Sequence, residues 1–267
     1  MSAGSTEGVD TATRRPVRRQ AEIAAYVVRH GGATAHELVE AFGVSLMTVH
    51  RDLDALERQG VVRKYRGGVT AQPTSVFESN VAYRLNTAQA QKQALARRAR
   101  ALVEPGMSVM LDDSTSALAV VRLLEDVTPL TVATNFLPAV SLLTAMPGVQ
   151  LIVLGGIYSS THDSFGGVPC AEAVEALQTD LLLCSVSAVS ATHAYHQEQE
   201  IVLVKRAMLR AARTRVLMID SAKLRRTALH RLAPLADFDL VLVDEQAPAE
   251  QVAALRDRGA VVEVVAV

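Results

Sequence analysis

Small polar and charged side chains follow several short apolar runs in the C-terminal part of this 267-residue chain. Directly after the first run, Asp112 and the hydroxyl residues behind it lead into a helical pattern. Hydroxyls and free N–H groups at a helix start bind anions, and lysine ammonium groups pair with phosphate, so the set suits a phosphorylated polyol. Taken singly, each residue is also explained by a helix cap or a tight turn. The candidate effector-binding residues are Asp112, Ser114, Thr115, Ser116, Thr134, Asn135, Gly155, Gly156, Glu200, Lys205, Asp220 and Lys223.

Seven apolar runs predict the sheet that positions these residues. Stretches of helical character separate most of the runs, an alternation typical of an α/β fold whose parallel sheet is covered on both faces. Such sheets bind ligands beyond the carboxyl ends of their strands, where the candidate residues stand. A long helix is predicted ahead of them, over Val81–Leu102. The predicted strands are Val109–Leu111, Leu130–Ala133, Leu151–Leu154, Leu181–Val186, Val216–Ile219, Leu240–Val243 and Val261–Val265.

The segment Ala35–Gly68 predicts a different unit, made of two short helices, a tight turn and a basic hairpin. Gly43 is placed to end the first helix in the left-handed conformation, and Ser45 is placed to cap the second. An inward stripe at the helical period follows, and a helix over Val17–His30 completes a three-helix core. The inward stripe consists of Val49, Leu53 and Leu56.

The second helix and the hairpin leave two groups of side chains exposed to DNA. In a helix-turn-helix, the first turns of the second helix enter the major groove of double-stranded DNA. The basic tip and Gly-Gly turn of the hairpin predict a wing that neutralises phosphates. An ordinary helical hairpin is the competing interpretation, but it needs no cluster of three cations at its tip. The predicted DNA-binding residues are Ser45, Leu46, Met47, Thr48, His50 and Arg51 on the helix, with Arg63, Lys64 and Arg66 on the wing.

The distribution of charge supports this assignment, although the formal net charge is only −1. Residues 14–70 hold ten Arg or Lys against six Asp or Glu, whereas the chain from residue 71 onward holds seventeen against twenty. A local basic excess is expected where phosphates are bound. Aromatic residues make up 4% of the chain, which disfavours single-strand binding by base stacking.

The motifs together resemble the DeoR-type transcriptional regulators. The segment Arg51–Gly60, which reads RDLD-x-LE-x-x-G in outline, is similar to the winged N-terminal domain of that family. The run Asp112–Ser116 resembles the family's Asp-x-Gly-Thr-Thr or Asp-x-Ser-Thr-Thr loop, with serines at two positions that are often Gly and Thr. The run Ser185–Ser187 stands where the family usually has a Gly-rich loop. Further matches are Thr134-Asn135, Gly155-Gly156, Phe165-Gly166, Glu200 with Lys205 and Met208, and Asp220-Ser221-Ala222-Lys223.

This resemblance implies a sensor domain similar to sugar-phosphate isomerases that binds a phosphorylated sugar or related metabolite. The expected protein is a cytoplasmic, homo-oligomeric repressor of carbohydrate-metabolism genes that binds operator DNA, without a cofactor, a metal or a membrane segment. The expected organisation is a disordered tail over 1–13, a winged helix-turn-helix over 14–70, a linker over 71–80 and a sensor domain over 81–267. Cys170 and Cys184 lack metal-ligand spacing and are expected to be buried thiols.

Three alternatives remain open at this point. An isomerase-like enzyme with an accessory DNA-binding domain would use Asp112, Glu200 or Asp220 as a base and Lys223 to stabilise charge. A metal site would use His193 and His196 with nearby carboxylates, although a polar loop before a helix explains the same residues. An architectural DNA-binding protein would use the second domain only for dimerisation.

Overall fold

The computed structural model describes residues 7–30, 32–71 and 81–267 of the chain. These residues form two compact units that divide between Thr87 and Ala88. Among the helices of the described segments, none is both long enough and apolar enough to cross a membrane. Most of the predicted linker, residues 72–80, and the first six residues of the predicted tail lie outside the described residues.

The N-terminal unit is a three-helix core with a small antiparallel sheet of order β1-β3-β2. The buried side chains of its helices pack against one another and against the sheet, and they include every residue of the predicted inward stripe. The predicted wing is therefore present, but it has a third strand that the sequence did not indicate. The elements are α1 (Glu7–His30), β1 (Gly32–Thr34), α2 (Ala35–Phe42), α3 (Leu46–Arg58), β2 (Val62–Tyr65), β3 (Gly68–Ala71) and α4 (Val81–Asn86).

Two boundaries in this unit differ from expectation. The tail prediction over 1–13 is too long, because α1 already begins at Glu7. The prediction of a single helix over Val81–Leu102 is wrong, because the structure has two helices there: α4 ends at Asn86, and the next helix is α5 (Gln89–Arg100). Ala88 adopts a left-handed conformation there, with φ of 51°, and that conformation interrupts helical hydrogen bonding.

Local capping fixes where the recognition helix starts. Gly43 ends α2 in the left-handed conformation, with φ of 62°. Ser45 then caps α3 by accepting a hydrogen bond from the Thr48 N–H at 3.2 Å. Both caps follow the sequence prediction.

A buried ion pair fixes how α3 packs on α1. The carboxylate of Asp52 is 2% exposed and accepts hydrogen bonds from Arg19 Nε at 2.6 Å and from Gln20 Nε2 at 3.1 Å. The RDLD motif thus directs its first Asp inward while the preceding Arg51 stays exposed.

The C-terminal unit is built on one seven-stranded parallel sheet of order β15-β14-β12-β9-β4-β5-β6. All seven predicted strands belong to this sheet, with bounds that shift by a few residues. The helices between them are α6 (Thr115–Val121), α7 (Leu137–Leu143), α8 (Gly167–Glu175), α9 (Gln199–Arg210) and α10 (Ala249–Asp257). The strands are β4 (Ser108–Leu111), β5 (Leu130–Thr134), β6 (Val149–Val153), β9 (Thr179–Cys184), β12 (Ala212–Ile219), β14 (Leu240–Asp244) and β15 (Val262–Val265).

Two small antiparallel sheets were not anticipated from the sequence. One is a hairpin of β7 (Ile157–Ser159) and β8 (Ser164–Gly166). The other, of order β10-β11-β13, consists of β10 (Ala188–Val189), β11 (His193–His196) and β13 (His230–Pro234). Their strands have two to five residues, too short for a periodic pattern to stand out in the sequence.

Candidate functional site

The N-terminal turns of α3 present an exposed surface of mixed polarity. Met47 is 77% exposed and Leu46 is 39% exposed, although both are apolar. His50 and Arg51 are also exposed, while Val49, between Thr48 and His50, is completely buried. A methionine this exposed has no role in the core of its own unit, and apolar contact with a thymine methyl group is one use for it in a major groove. The predicted DNA-facing helix residues therefore lie at the start of α3, the second helix of the helix-turn-helix, with Ser45 and Thr48 also occupied in the cap.

The wing cations differ in their surroundings. Arg63 and Arg66 are exposed, but the ammonium group of Lys64 forms an ion pair with Asp54 of α3. This hydrogen bond lowers the pKa of the Asp54 carboxyl. The Lys64 backbone N–H also donates to Glu57 Oε1 at 2.9 Å. Lys64 therefore holds the wing against α3, and Arg63 and Arg66 are the cations best placed to meet phosphates.

Replacing Arg63 and Arg66 together by Gln should flatten the salt dependence of DNA binding. The slope of log K against log salt should fall by about two units, because each phosphate contact contributes roughly 0.9. Fluorescence-anisotropy titrations over a series of salt concentrations measure this slope. Lys64→Gln is the matched control and should change the slope less. A double variant whose slope equals that of the wild type would show that the wing points away from DNA.

The candidate effector site lies where the strand order of the parallel sheet reverses. From β4 the chain proceeds to β5 and β6 on one side, and it then returns to β9 on the other side of β4. In open α/β sheets the crevice at such a switch point, beyond the carboxyl ends of the strands, is the usual ligand site. Asp112 follows β4 and Ser185 follows β9, and the Ser185 N–H donates to Asp112 Oδ2 at 2.8 Å across this point.

A buried lysine neutralises two aspartates at the switch point. Lys205 of α9 forms ion pairs with Asp112 and with Asp113, the latter at 3.0 Å, and its ammonium also donates to Ser185 O at 3.1 Å. These three acceptors match the three N–H bonds of the ammonium group. Burial alone would lower the pKa of Lys205, but the two carboxylates outweigh it and the net shift is upward. The structure therefore places Lys205 as an internal counter-ion, and it brings in Asp113, which the sequence analysis did not include.

A second charged group surrounds the end of β12. Lys223 Nζ donates to Ser185 Oγ at 2.7 Å and lies 3.5 Å from Asp220 Oδ2. Burial by itself raises the pKa of the Asp220 carboxyl. Nearby cations, Lys223 foremost, lower this pKa by more than burial raises it, so the net shift is downward. Asp244 at the end of β14 accepts from the Ser221 N–H at 2.6 Å and thereby fixes the start of this loop. Asp112, Lys205 and Lys223 thus each contact Ser185, and Asp220 lies beside Lys223.

The first turn of α6 carries the predicted hydroxyl residues. Ser114 caps this helix by accepting from the Ala117 N–H at 3.0 Å, and its own N–H donates to Asp112 Oδ1 at 3.1 Å. Thr115 and Ser116 precede the first intrahelical N–H, which leaves their N–H groups outside the helical ladder. On β5, Thr134 Oγ1 accepts from the Phe136 N–H at 3.2 Å.

The β7–β8 hairpin crosses the ends of β4 and β5. Ser164 Oγ donates to Asp113 Oδ2 at 3.2 Å, and the Phe165 N–H donates to Asn135 O at 2.9 Å. Gly156 has a positive φ of 155°, and a Cβ there would lie 2.4 Å from Gly166 O. Its missing side chain is therefore explained by hairpin packing. Gly155 and Glu200 are exposed, and among the described residues no hydrogen bond or ion pair joins Glu200 to Asp112 or Lys205.

The histidines considered as metal ligands have different neighbours. The His196 ring lies 6.1 Å from that of His162, whereas the His193 ring lies 6.3 Å from that of Tyr195. His162 is 1% exposed and its Nε2 lies 2.8 Å from Glu198 Oε1. Within the described segments, no group of three or more His, Cys, Asp or Glu side chains is arranged to hold a metal ion.

Both cysteines are buried free thiols, as predicted. Burial raises the pKa of Cys170 to about 11 and also raises that of Cys184. Because the thiolate is the reactive form, neither thiol is suited to act as a nucleophile.

A winged helix-turn-helix joined to a parallel α/β domain with polar strand ends defines a DNA-binding regulator that carries a second, ligand-binding domain. Residues 19–74 match the DeoR-like helix-turn-helix domain, and residues 87–245 match the DeoR C terminal sensor domain. The chain belongs to the DeoR family of DNA-binding transcriptional regulators.

Individual relatives agree with this assignment. The chain is 30% identical over 271 residues to an Escherichia coli O157:H7 protein provisionally named as the aga operon transcriptional repressor, with 100% of this chain and 99% of that protein covered. It is 28% identical over 236 residues to the transcriptional repressor GlcR of Bacillus subtilis, with 88% and 91% covered. Ribose 5-phosphate isomerase A of Methanocaldococcus jannaschii matches 52% of this chain and 55% of its own, with 16% identity and a TM-score of 0.39. A score this low supports no inference about function.

Proposed function

We propose that this regulator represses genes of carbohydrate metabolism and leaves its operator when a phosphorylated sugar binds the C-terminal unit. The observation that carries the proposal is the convergence of Asp112, Ser185 and Lys223 at the switch point, beside the hydroxyls of α6. The names of the two repressor relatives, which refer to the aga operon and to GlcR, agree with a role in repression. The effector must bind the DNA-free state of the protein more tightly than the DNA-bound state. A ligand with equal affinity for both states would not shift the equilibrium between them.

The phosphate is proposed to bind between the first turn of α6 and Lys223. The N–H groups and hydroxyls of Thr115 and Ser116 supply donors, and the Lys223 ammonium supplies a positive charge. Lys205 was predicted to contact the ligand directly, but all three of its N–H bonds have protein acceptors. We therefore propose that Lys205 positions the Asp112 loop.

Operator binding is proposed to use a homo-oligomer in the cytoplasm. Dimers of helix-turn-helix proteins place two recognition helices in successive major grooves, about one helical turn apart. Each helix then binds one half-site, and the two half-sites together form the operator. The exposed turns of α3 and the Arg63–Arg66 tip supply the contacts of one such half-site.

Lys223→Ala should abolish induction and leave operator binding intact. The substitution removes the cation that we assign to the phosphate, while the DNA-binding surface belongs to the other unit. The assay begins with thermal-shift screening of sugar phosphates on the full chain, since a ligand that binds the native state raises its melting temperature. The ligand found is then used to release a DNA fragment selected by the purified protein. Arg210→Ala, on the exposed side of α9, is the control and should respond as the wild type does.

The same variant separates the sensor from an isomerase-like enzyme. Turnover of a sugar phosphate by the wild type, lost in Lys223→Ala, would favour the enzyme, since Asp112 and Asp220 lie near Lys223 and a similar fold does not decide function. Absence of both binding and turnover with every sugar phosphate would overturn the proposed effector class and favour an architectural role.

A further inference from the structure

Among the described residues, the buried polar atoms without a hydrogen-bond partner include Ser116 Oγ, Asn135 Oδ1 and Gln197 Oε1. The residues that carry them are 1%, 2% and 7% exposed. Burying an acceptor without a donor destabilises a protein, so native proteins seldom retain several in one region unless something else supplies the donors.

The orientation of the Asn135 amide is determined by its neighbour. Asn135 Nδ2 donates to Phe165 O at 2.7 Å. A carbonyl oxygen only accepts, so the amide cannot be turned over without losing this bond. Its Oδ1 is therefore an acceptor that requires an external donor.

The segments that carry the three atoms meet at the β7–β8 hairpin. Asn135 and Ser116 follow the paired strands β5 and β4, whose last residues, Thr134 and Leu111, are register partners. Ser164 in the hairpin donates to Asp113, three residues before Ser116. His162, in the same hairpin, contacts Glu198, which directly follows Gln197.

We infer that Asn135 and Gln197 accept hydrogen bonds from hydroxyl groups of the effector, and that this part of the site selects a polyhydroxylated carbon chain. This inference rests on the proposed function and concerns the part of the effector that does not contact the phosphate site. Carbonyl oxygens aimed at a ligand favour donors and disfavour a second anionic group. A site built to pair hydroxyls also rejects an analogue that lacks them, because its buried acceptors are then left unpaired. Gln197 is a specificity-determining residue in this scheme and was not recognised from the sequence.

The test uses Gln197→Met, which removes the acceptor at similar volume, and Gln150→Met on the exposed part of β6 as its control. Without ligand, Gln197→Met should melt at the same temperature as the wild type or higher, because an unpaired buried acceptor is lost. Its affinity for the sugar phosphate that stabilises the wild type most should fall about tenfold or more, as expected for one lost hydrogen bond to a ligand. Its affinity for inorganic phosphate, which has no carbon chain, should stay within twofold of the wild type.

Gln197→Leu is the second variant and carries the same prediction if Gln197→Met does not fold. A lower melting temperature in Gln197→Met, with unchanged affinity for the sugar phosphate, would overturn the inference and assign Gln197 a structural role. Equal loss of affinity for inorganic phosphate would also overturn it, since the defect would then lie in the phosphate site. If the wild type binds no sugar phosphate at all, the proposed function fails and this inference fails with it. If the wild type binds and both variants bind equally well, only this inference fails.

Discussion

Replacing Lys205 by methionine should lower the free energy of unfolding of the C-terminal unit by about 3–5 kcal/mol, the usual cost of breaking a buried ion pair by removing one partner. Asp112 is completely buried and Asp113 is 3% exposed. Methionine fills similar space but leaves both carboxylates without their counter-ion in a region of low dielectric constant. The three segments after β4, after β9 and on α9 would lose their common contact.

The loss should be assigned to the correct unit, because a chain with two units need not unfold in one step. Urea unfolding gives the overall change, and hydrogen exchange of peptides from β4 and β9 shows whether these strands open more readily. The control Arg210→Met removes an exposed partner of Glu175, 2.5 Å away, and should change stability by no more than about 1 kcal/mol.

A triple variant tests the charge argument directly. Adding Asp112→Asn and Asp113→Asn to Lys205→Met removes the unpaired charges and should recover part of the lost stability. If the single variant is as stable as the wild type, or if the triple variant recovers nothing, the lysine does not act as the internal counter-ion.

The parallel sheet was predictable because its central strands are buried on both faces. Such strands read as continuous apolar runs, for example LTVA at 130–133, and seven such runs mark the seven strands of the observed sheet. The switch point is less accessible to prediction, since it depends on β9 pairing with β4 across a long stretch of chain. Sequence spacing alone does not show on which side of β4 a later strand will lie.

The site residues were predictable by position but not by partner. Asp112 and Lys205 were selected because they stand at strand ends or match a family motif, yet 93 residues separate them and their ion pair appears only in the fold. The role of Lys205 as a counter-ion, and the inclusion of Asp113, therefore required the structure. Gln197 offered no signal in the sequence, because an amide becomes informative only when its burial and lack of a partner are known.

The helix-turn-helix was the most predictable part, because its signals are local. Gly43, Ser45 and the inward stripe of α3 act within a few residues of one another. The bond between Arg19 and Asp52 joins residues 33 apart, and no local pattern indicates it. The ion pair between Lys64 and Asp54 was also not predicted, since Asp54 lies on α3, ten residues before Lys64 in the chain.

Replacing Arg51 by alanine should weaken operator binding by about 1–3 kcal/mol if its guanidinium pairs with a base. Arg51 is exposed on α3, and the buried ion pair of its neighbour Asp52 holds the helix in place beneath it. A guanidinium group forms two parallel hydrogen bonds to guanine, whereas the ammonium group of lysine is a point charge without that geometry. Arg51→Lys should therefore lose most of the specific affinity, although it keeps the charge.

Binding of Arg51→Ala to a set of operators, each altered at one base pair, distinguishes the two kinds of contact. A base contact predicts that preference is relaxed at a single position, whereas a phosphate contact predicts uniform weakening across all sequences and full rescue by Arg51→Lys. Arg58→Ala, at the opposite end of α3, is the matched control and should bind within about twofold of the wild type. Wild-type affinity of a folded Arg51→Ala would mean that Arg51 contributes no contact to DNA binding. The exposed Met47 and His50 would then have to be tested in its place, because they share the N-terminal turns from which a recognition helix reads the groove.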